Sequence, residues 1–136
     1  MFLTSLWSLF YNENDFSAFI YSGLITTFTA LFLILISRGK DNKPINLRDG
    51  FYVVTITWIC MGLFCSLPYY QSMYFNSFIN AFFESMSGIT TTGATIIGSD
   101  LGYSIEDLPH GLLFWRAFTQ FIGGMGIILF TIAILP

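Results

Sequence analysis

Three apolar stretches, each close to the length that crosses a bilayer, alternate with short polar stretches along this chain. The first spans residues 16–37, reads FSAFIYSGLITTFTALFLILI, and stops at Ser37-Arg38-Gly39-Lys40. The second spans 51–67 and stops at Pro68, and the third spans 111–136. A hydrocarbon core about 30 Å thick needs roughly 20 apolar residues of helix, so each is predicted to be a transmembrane helix. Between the second and third lies SFINAFFESMSG, where Phe78, Ala81, Phe82, Ser85 and Met86 recur at helical spacing. Asn76 or Ser77 is placed to cap that helix, which is predicted over 77–89. Its length, about 18 Å at 1.5 Å per residue, is too short to cross. The chain then breaks at Gly88 into a threonine- and glycine-rich loop over 90–95.

Composition sharpens this picture. The 136 residues are 54% hydrophobic and 10% charged, against about 25% charged in an ordinary soluble domain. No Asp, Glu, Lys, Arg or His falls from Phe16 to Ile36, between Asp49 and Glu84, or from Ala117 to Pro136. Such segments cannot make a water-facing surface. The fold class is all-α integral membrane: one transmembrane helix followed by a unit of span, short helix, loop and span.

Charge sets the predicted orientation. Four of the five basic residues, Arg38, Lys40, Lys43 and Arg48, lie between the first two spans, with Pro44 and Gly50 as breakers. Lys and Arg concentrate in short cytoplasmic loops, so 38–50 is expected inside. The first span then runs inward, the second outward and the third inward again. Glu13, Asp15, Asp100, Glu106 and Asp107 lie elsewhere. Residues 1–15, short, aromatic and polar, are expected on the non-cytoplasmic side, as the end of a preceding span or an interfacial segment. They carry no basic n-region of a cleaved signal peptide.

The stretch with chemistry is Ser87-Gly88-Ile89-Thr90-Thr91-Thr92-Gly93-Ala94-Thr95. Non-helical backbone at membrane depth survives only where protein buries it or a water-filled cavity lies alongside. In a potassium filter such backbone aims carbonyl oxygens at the ion in place of its hydration shell. Aiming successive carbonyls at one axis needs unusual φ/ψ, which Gly93 accepts without a Cβ penalty. The short helix would direct its partly negative C-terminal end toward the cation. A polar connector between spans would share the composition. Position separates the two readings, because this run follows a half-length helix between two full spans.

Those residues carry a resemblance. FFESMSGITTTGAT, preceded by LRDGF and LP and followed by LPHGLLFWRAFTQFIGGMGIILFTIAILP, closely resembles the first pore repeat of the Trk/Ktr/HKT potassium transporter family, in particular a TrkH-type subunit. The resemblance covers nearly the whole chain and is weakest over 1–37. It implies a chain of four span–pore helix–span repeats around one ion path, with Thr90, Thr91, Thr92 and Gly93 as the potassium-binding positions of this repeat. It further implies three more pore repeats, dimers of full subunits, a cytosolic TrkA-type nucleotide-binding regulator, and symport in a cell inner membrane. With one repeat of four, the chain is expected to be a fragment, starting part-way through the family's first span and supplying one quarter of a filter.

Several residues near this loop bear alternative readings. Glu84 is either an ion-path carboxylate or a structural group facing the outer vestibule or bonded to amides behind the loop. The structural role is favoured, since a direct ligand would hold the ion too tightly for release. Arg116, the only basic residue outside the loop, either snorkels to the interface or pairs with Glu84, Asp100 or a neighbouring repeat. Glu84, Gly88 and Arg116 are expected as structural residues near the filter. His110 is read as a loop or helix-start residue. Gly123, Gly124 and Gly126 suggest close helix packing or a local bend. Trp7, Trp58, Trp115, Tyr69, Tyr70 and Tyr74 suit the bilayer interface or lipid contact. Cys60 and Cys65 read as small buried apolar residues.

With no nucleophile–base pair, metal cluster or phosphate-cradling loop in view, an enzyme is not expected. No cofactor and no nucleic acid are expected either; potassium enters as substrate and the bilayer as partner. The rivals are a homotetramer of the two-span channel kind and an inactive remnant or structural membrane subunit.

Overall fold

A computed structural model describes residues 1–13, 15–37, 47–98 and 102–134, with the side chains of 47 and 129–134 excepted. Among the described residues five α-helices follow one another: α1 Phe2–Phe10, α2 Phe16–Ser37, α3 Leu47–Gln71, α4 Phe78–Ile89 and α5 His110–Ile134. A single 3₁₀ turn, Ile105–Asp107, precedes α5, and no strand occurs among the described residues. Among the described residues three helices are long and apolar enough to cross a membrane, over Phe16–Ser37, Arg48–Gln71 and His110–Ile128. Only 11–28% of each such segment is buried within the chain, so most of their apolar surface faces outward, as lipid or further protein requires.

The spans satisfy their own polar groups. In α2 the hydroxyls of Ser22, Thr26, Thr27 and Thr29 each donate to the carbonyl four residues back, at 2.6–2.8 Å. Thr55 and Thr57 do the same in α3, at 2.9 and 2.7 Å. A hydroxyl bonded to its own helix costs little in hydrocarbon.

Helix α3 runs past both expected ends of its span. It begins at Leu47, inside the expected basic loop, of which 38–46 lie outside the described residues. It also continues through Pro68 to Gln71. Proline removes the N–H that would reach the Phe64 carbonyl and crowds the preceding turn, where two adjacent carbonyls gain side-chain donors. The Trp115 indole N–H donates to the Cys65 carbonyl at 3.1 Å, and the Ser66 hydroxyl to Leu63 at 2.7 Å. The helix resumes with Ser72 N–H to Pro68 at 3.0 Å.

The core gathers at one end of the bundle. Phe19, Tyr69, Phe75, Ala81, Ile97, Leu108, Leu112 and Trp115 form one buried cluster where α2, α3, α4, α5 and the loops meet. Trp115 and Tyr69 are therefore core residues and not interface anchors. Cys60 is exposed and Cys65 half-buried, both as free thiols, so Cys60 lies on the outer face of α3 and not in the interior.

The N-terminal segment folds as α1 against α2 and α5. Its polar Thr4, Ser5 and Ser8 are buried while Phe2, Leu3, Leu6 and Phe10 face outward. This inverted pattern suits a helix bathed in lipid on one side and docked through hydroxyls on the other. Ser8 donates to Asp15, and Trp7 stacks on Phe114 with ring centroids 5.3 Å apart.

Candidate ion-filter site

Helix α4 is wedged between α3 and α5. Ser77 caps it, accepting the Ile79 N–H at 3.2 Å. Its buried face is Ala81, Glu84, Ser85, Ser87, Gly88 and Ile89. Glycines on both neighbours allow the close approach. The Ser85 hydroxyl donates to the Gly62 carbonyl at 2.9 Å on the α3 side. On the α5 side, a Cβ on Gly123 would fall on the backbone carbonyl of Ile89. A Cβ on Gly88 would sit 2.8 Å from the Thr119 hydroxyl. Gly123 is thus a packing glycine, whereas Gly126 has open space around it.

The last turn of α4 closes by folding the loop back on itself. The N–H groups of Thr90, Thr91 and Thr92 donate to Met86, Gly88 and Ser87, at 2.9, 3.0 and 3.0 Å. The Gly93 N–H adds a longer bond to Ser87, at 3.4 Å. Such backward bonds require left-handed backbone, and φ is +58° at Thr91 and +74° at Gly93. Glycine carries this freely. A β-branched threonine does not, so Thr91 stores strain of order 1–3 kcal/mol. The positive φ at Thr91 has no signal in the sequence, whose expectation rested on Gly93.

Two side chains clasp the far limb of the loop. The Ser87 hydroxyl donates to the Ala94 carbonyl at 2.5 Å. The Thr95 hydroxyl donates to both oxygens of Glu84, at 3.1 and 2.9 Å, while accepting the Ile97 N–H at 3.1 Å. Thr90 and Thr92 pair their hydroxyls at 2.8 Å. Residues 90–94 are exposed, above a floor of buried Ser87, Gly88 and Ile89.

The carbonyls at the end of α4 and along the loop divide into bonded and open ones. Met86, Ser87 and Gly88 are taken by loop amides, Thr90 by the Thr91 hydroxyl at 2.7 Å, and Ala94 by Ser87. Among the described residues, no donor reaches the carbonyls of Thr91, Thr92 or Gly93. Backbone carbonyls are strong acceptors that rarely go without a partner. Three in succession, exposed, are suited to water or a cation. The four expected positions, Thr90, Thr91, Thr92 and Gly93, therefore lie in one exposed loop at the C-terminal end of α4.

Glu84 does not face a vestibule. Its side chain is 1% exposed and pairs with the Arg116 Nε at 2.8 Å. Arg116 is accordingly paired within this chain and does not snorkel outward; Asp100 lies outside the described residues. The fixed positive charge neutralises the carboxylate, whose burial would otherwise be costly.

A second acid lies at the start of α5, where sequence reasoning found nothing. Glu13 accepts the N–H groups of His110 and Gly111, at 3.0 and 3.2 Å, and meets the His110 Nδ1 at 2.7 Å. A carboxylate at a helix N-terminus satisfies orphan donors and meets the positive end of the dipole. Burial pushes the Glu13 carboxyl up, but these bonds outweigh it and hold it below its ordinary value. At neighbouring Asp15, burial raises the carboxyl, Ser8 opposes and Glu13 adds to the rise. Some 97 residues separate Glu13 from His110, so no local pattern could have revealed the pairing.

Three span-length helices, with a half-length helix and an open-carbonyl loop set between the last two, define an all-helical membrane protein. Comparison with known families supplies the particular one. The family model for TrkH, described as cation transport protein, matches residues 17–136. The chain belongs to the TrkH family. It is 39% identical over 129 residues to the Trk system potassium uptake protein TrkH of Escherichia coli strain K12, covering 88% of this chain and 26% of that protein. Identity to the protein of the same name from Halomonas elongata is 40% over 131 residues, covering 95% and 26%. An uncharacterized cation transporter of Methanocaldococcus jannaschii is 35% identical over 128 residues, covering 94% and 25%. The chain spans about a quarter of the length of these relatives.

Proposed function

We propose that this chain supplies one quarter of a potassium selectivity filter in a Trk-type uptake system of the cell inner membrane. The carrying observation is the run of donor-free carbonyls at Thr91, Thr92 and Gly93, next to Thr90, at the C-terminal end of a helix of 12 residues. Potassium is the transported substrate, held by backbone oxygens in place of water. Relatives named as potassium uptake proteins support the choice of ion.

In this reading 38–50 lies in the cytoplasm and 1–15 on the opposite side. Helix α4 and loop 90–95 enter from outside and return. Three further repeats of the same family complete the ring, full subunits pair as dimers, and a TrkA-type nucleotide-binding protein regulates from the cytosol. Uptake is coupled as symport. One loop covers one side of an ion, so the chain as a verified monomer in liposomes carries no potassium flux. Flux from such monomers would overturn the one-quarter reading.

The direct test is Gly93→Ser in the assembled transporter. A Cβ at a φ of +74° disturbs the carbonyl on either side, so potassium preference over sodium falls while insertion is retained. Unchanged ion preference would count against the filter assignment.

A further inference from the structure

We propose that Thr95 is a positioning residue of the filter. Through Glu84 and Arg116 it ties the outgoing limb of the loop to α5 and keeps the open carbonyls at their spacing. The inference rests on the filter reading above and adds a residue to it.

The two limbs of the loop are held by different means. The incoming limb is secured by the backbone, since the N–H groups of Thr90 to Gly93 all return to α4. The outgoing limb has no such bonds to α4 among the described residues, and only side chains reach it. Ser87 holds the Ala94 carbonyl, and Thr95 reaches Glu84. The donor-free carbonyls of Thr91, Thr92 and Gly93 lie between these two attachments. Their spacing therefore depends on where the far attachment is fixed.

The Thr95 attachment is built to be rigid. An ionised carboxylate only accepts, so the hydroxyl must donate to it. The same oxygen accepts the Ile97 N–H at 3.1 Å, so its direction is fixed from both sides. The carboxylate is itself buried at 1% exposure and held by Arg116 at 2.8 Å. Arg116 belongs to α5, which is pinned to α4 by the contact of Gly123 with Ile89. The chain of contacts runs from the loop through Thr95, Glu84 and Arg116 into a span. Because the arginine cancels the carboxylate, the clamp adds no net charge to the path and does not itself bind the ion.

The test uses the assembled transporter containing the whole chain, with potassium and sodium uptake measured side by side. Thr95→Val removes the hydroxyl at nearly constant volume and leaves the Glu84–Arg116 pair intact. Loss of one hydrogen bond to a charged group should lower the potassium-over-sodium preference roughly tenfold. Membrane abundance should stay at the wild-type level. Thr95→Ser keeps the hydroxyl and should restore the preference, which a role in packing alone would not predict. If the valine variant fails to accumulate, Thr95→Ala removes the same hydroxyl without crowding. Wild-type preference in whichever of these accumulates overturns the proposal. Gly93→Ser run in parallel separates two failures. A shift there with none at Thr95 sinks the clamp alone; no shift at either sinks the filter reading with it.

Discussion

Two acid–base pairs of the same spacing sit in opposite surroundings. Glu84 and Arg116 meet at 2.8 Å with side chains 1% and 15% exposed, whereas Glu13 and His110 meet at 2.7 Å with side chains 19% and 56% exposed. The buried pair stands beside loop 90–95 and shares its carboxylate with Thr95. The outer pair closes the start of α5 and joins the N-terminal segment to it. Distance alone would rank them equal. Burial makes one indispensable once formed and leaves the other adjustable, because an unpaired charge is costly where water cannot reach it.

Breaking the inner pair should have the largest effect. Arg116→Gln leaves a buried carboxylate with one hydroxyl, and removal of one partner of a buried pair costs about 3–5 kcal/mol. Thermal unfolding in detergent should show a large drop in midpoint, and the protein should accumulate poorly. A midpoint within a degree or two of wild type would mean that Glu84 finds another counter-charge.

The next effect tests the scaffold around that pair. Gly123→Ala places a Cβ on the Ile89 carbonyl, which is backbone and cannot rotate aside. Overpacking of this kind costs about 1–3 kcal/mol, and the displaced end of α4 should also lower ion preference. Gly126→Ala, with nothing within 4 Å of its new Cβ, should match wild type in the same assay.

Gly93→Ala should cost less, about 1 kcal/mol for a Cβ in left-handed backbone. Its effect should appear in ion preference more than in unfolding midpoint. An alanine variant with altered midpoint and unaltered preference would move the site away from this loop.

The outer pair should give the smallest change. Glu13→Gln should cost about 1 kcal/mol or less, as exposed pairs do, and the cost depends on pH. The Glu13 carboxyl is held below its ordinary value of 4.5, so its contribution is fully present above that value. It is lost as pH falls through the lowered folded value. Asp15 runs the other way: burial raises it, so ionised Asp15 opposes folding and stability returns as pH falls through its raised value. Unfolding midpoints across the acid range should lose the Glu13 step in Glu13→Gln and keep the opposite trend from Asp15. An unchanged profile would show that the carboxylate does not stabilise the start of α5.

The sequence by itself determined the class and the main chain of this protein. Hydrocarbon demands apolar side chains over a set length whatever the partners, so α2 and the start of α5 are written in local composition. The half-length α4 and the positive φ of Gly93 are local as well, a matter of helical spacing and a missing Cβ. The family was legible in the motif around Thr90 to Thr95 and the run from Leu108 onward. Only the tertiary structure decided which polar groups meet. Arg116 pairs with Glu84 and not outward, Thr95 reaches the same carboxylate, and Glu13 crosses 97 residues to the start of α5. Helix α3 passes through Pro68, and Trp115, far along the chain, donates to the Cys65 carbonyl of the preceding turn. Thr91 adopts left-handed backbone as Gly88 accepts its own amide and Ser87 draws the amides of Thr92 and Gly93 back. Spans follow from the solvent that surrounds them, which acts on each residue alone. Pairings follow from which buried groups are brought within reach of each other, and only the packed chain fixes that.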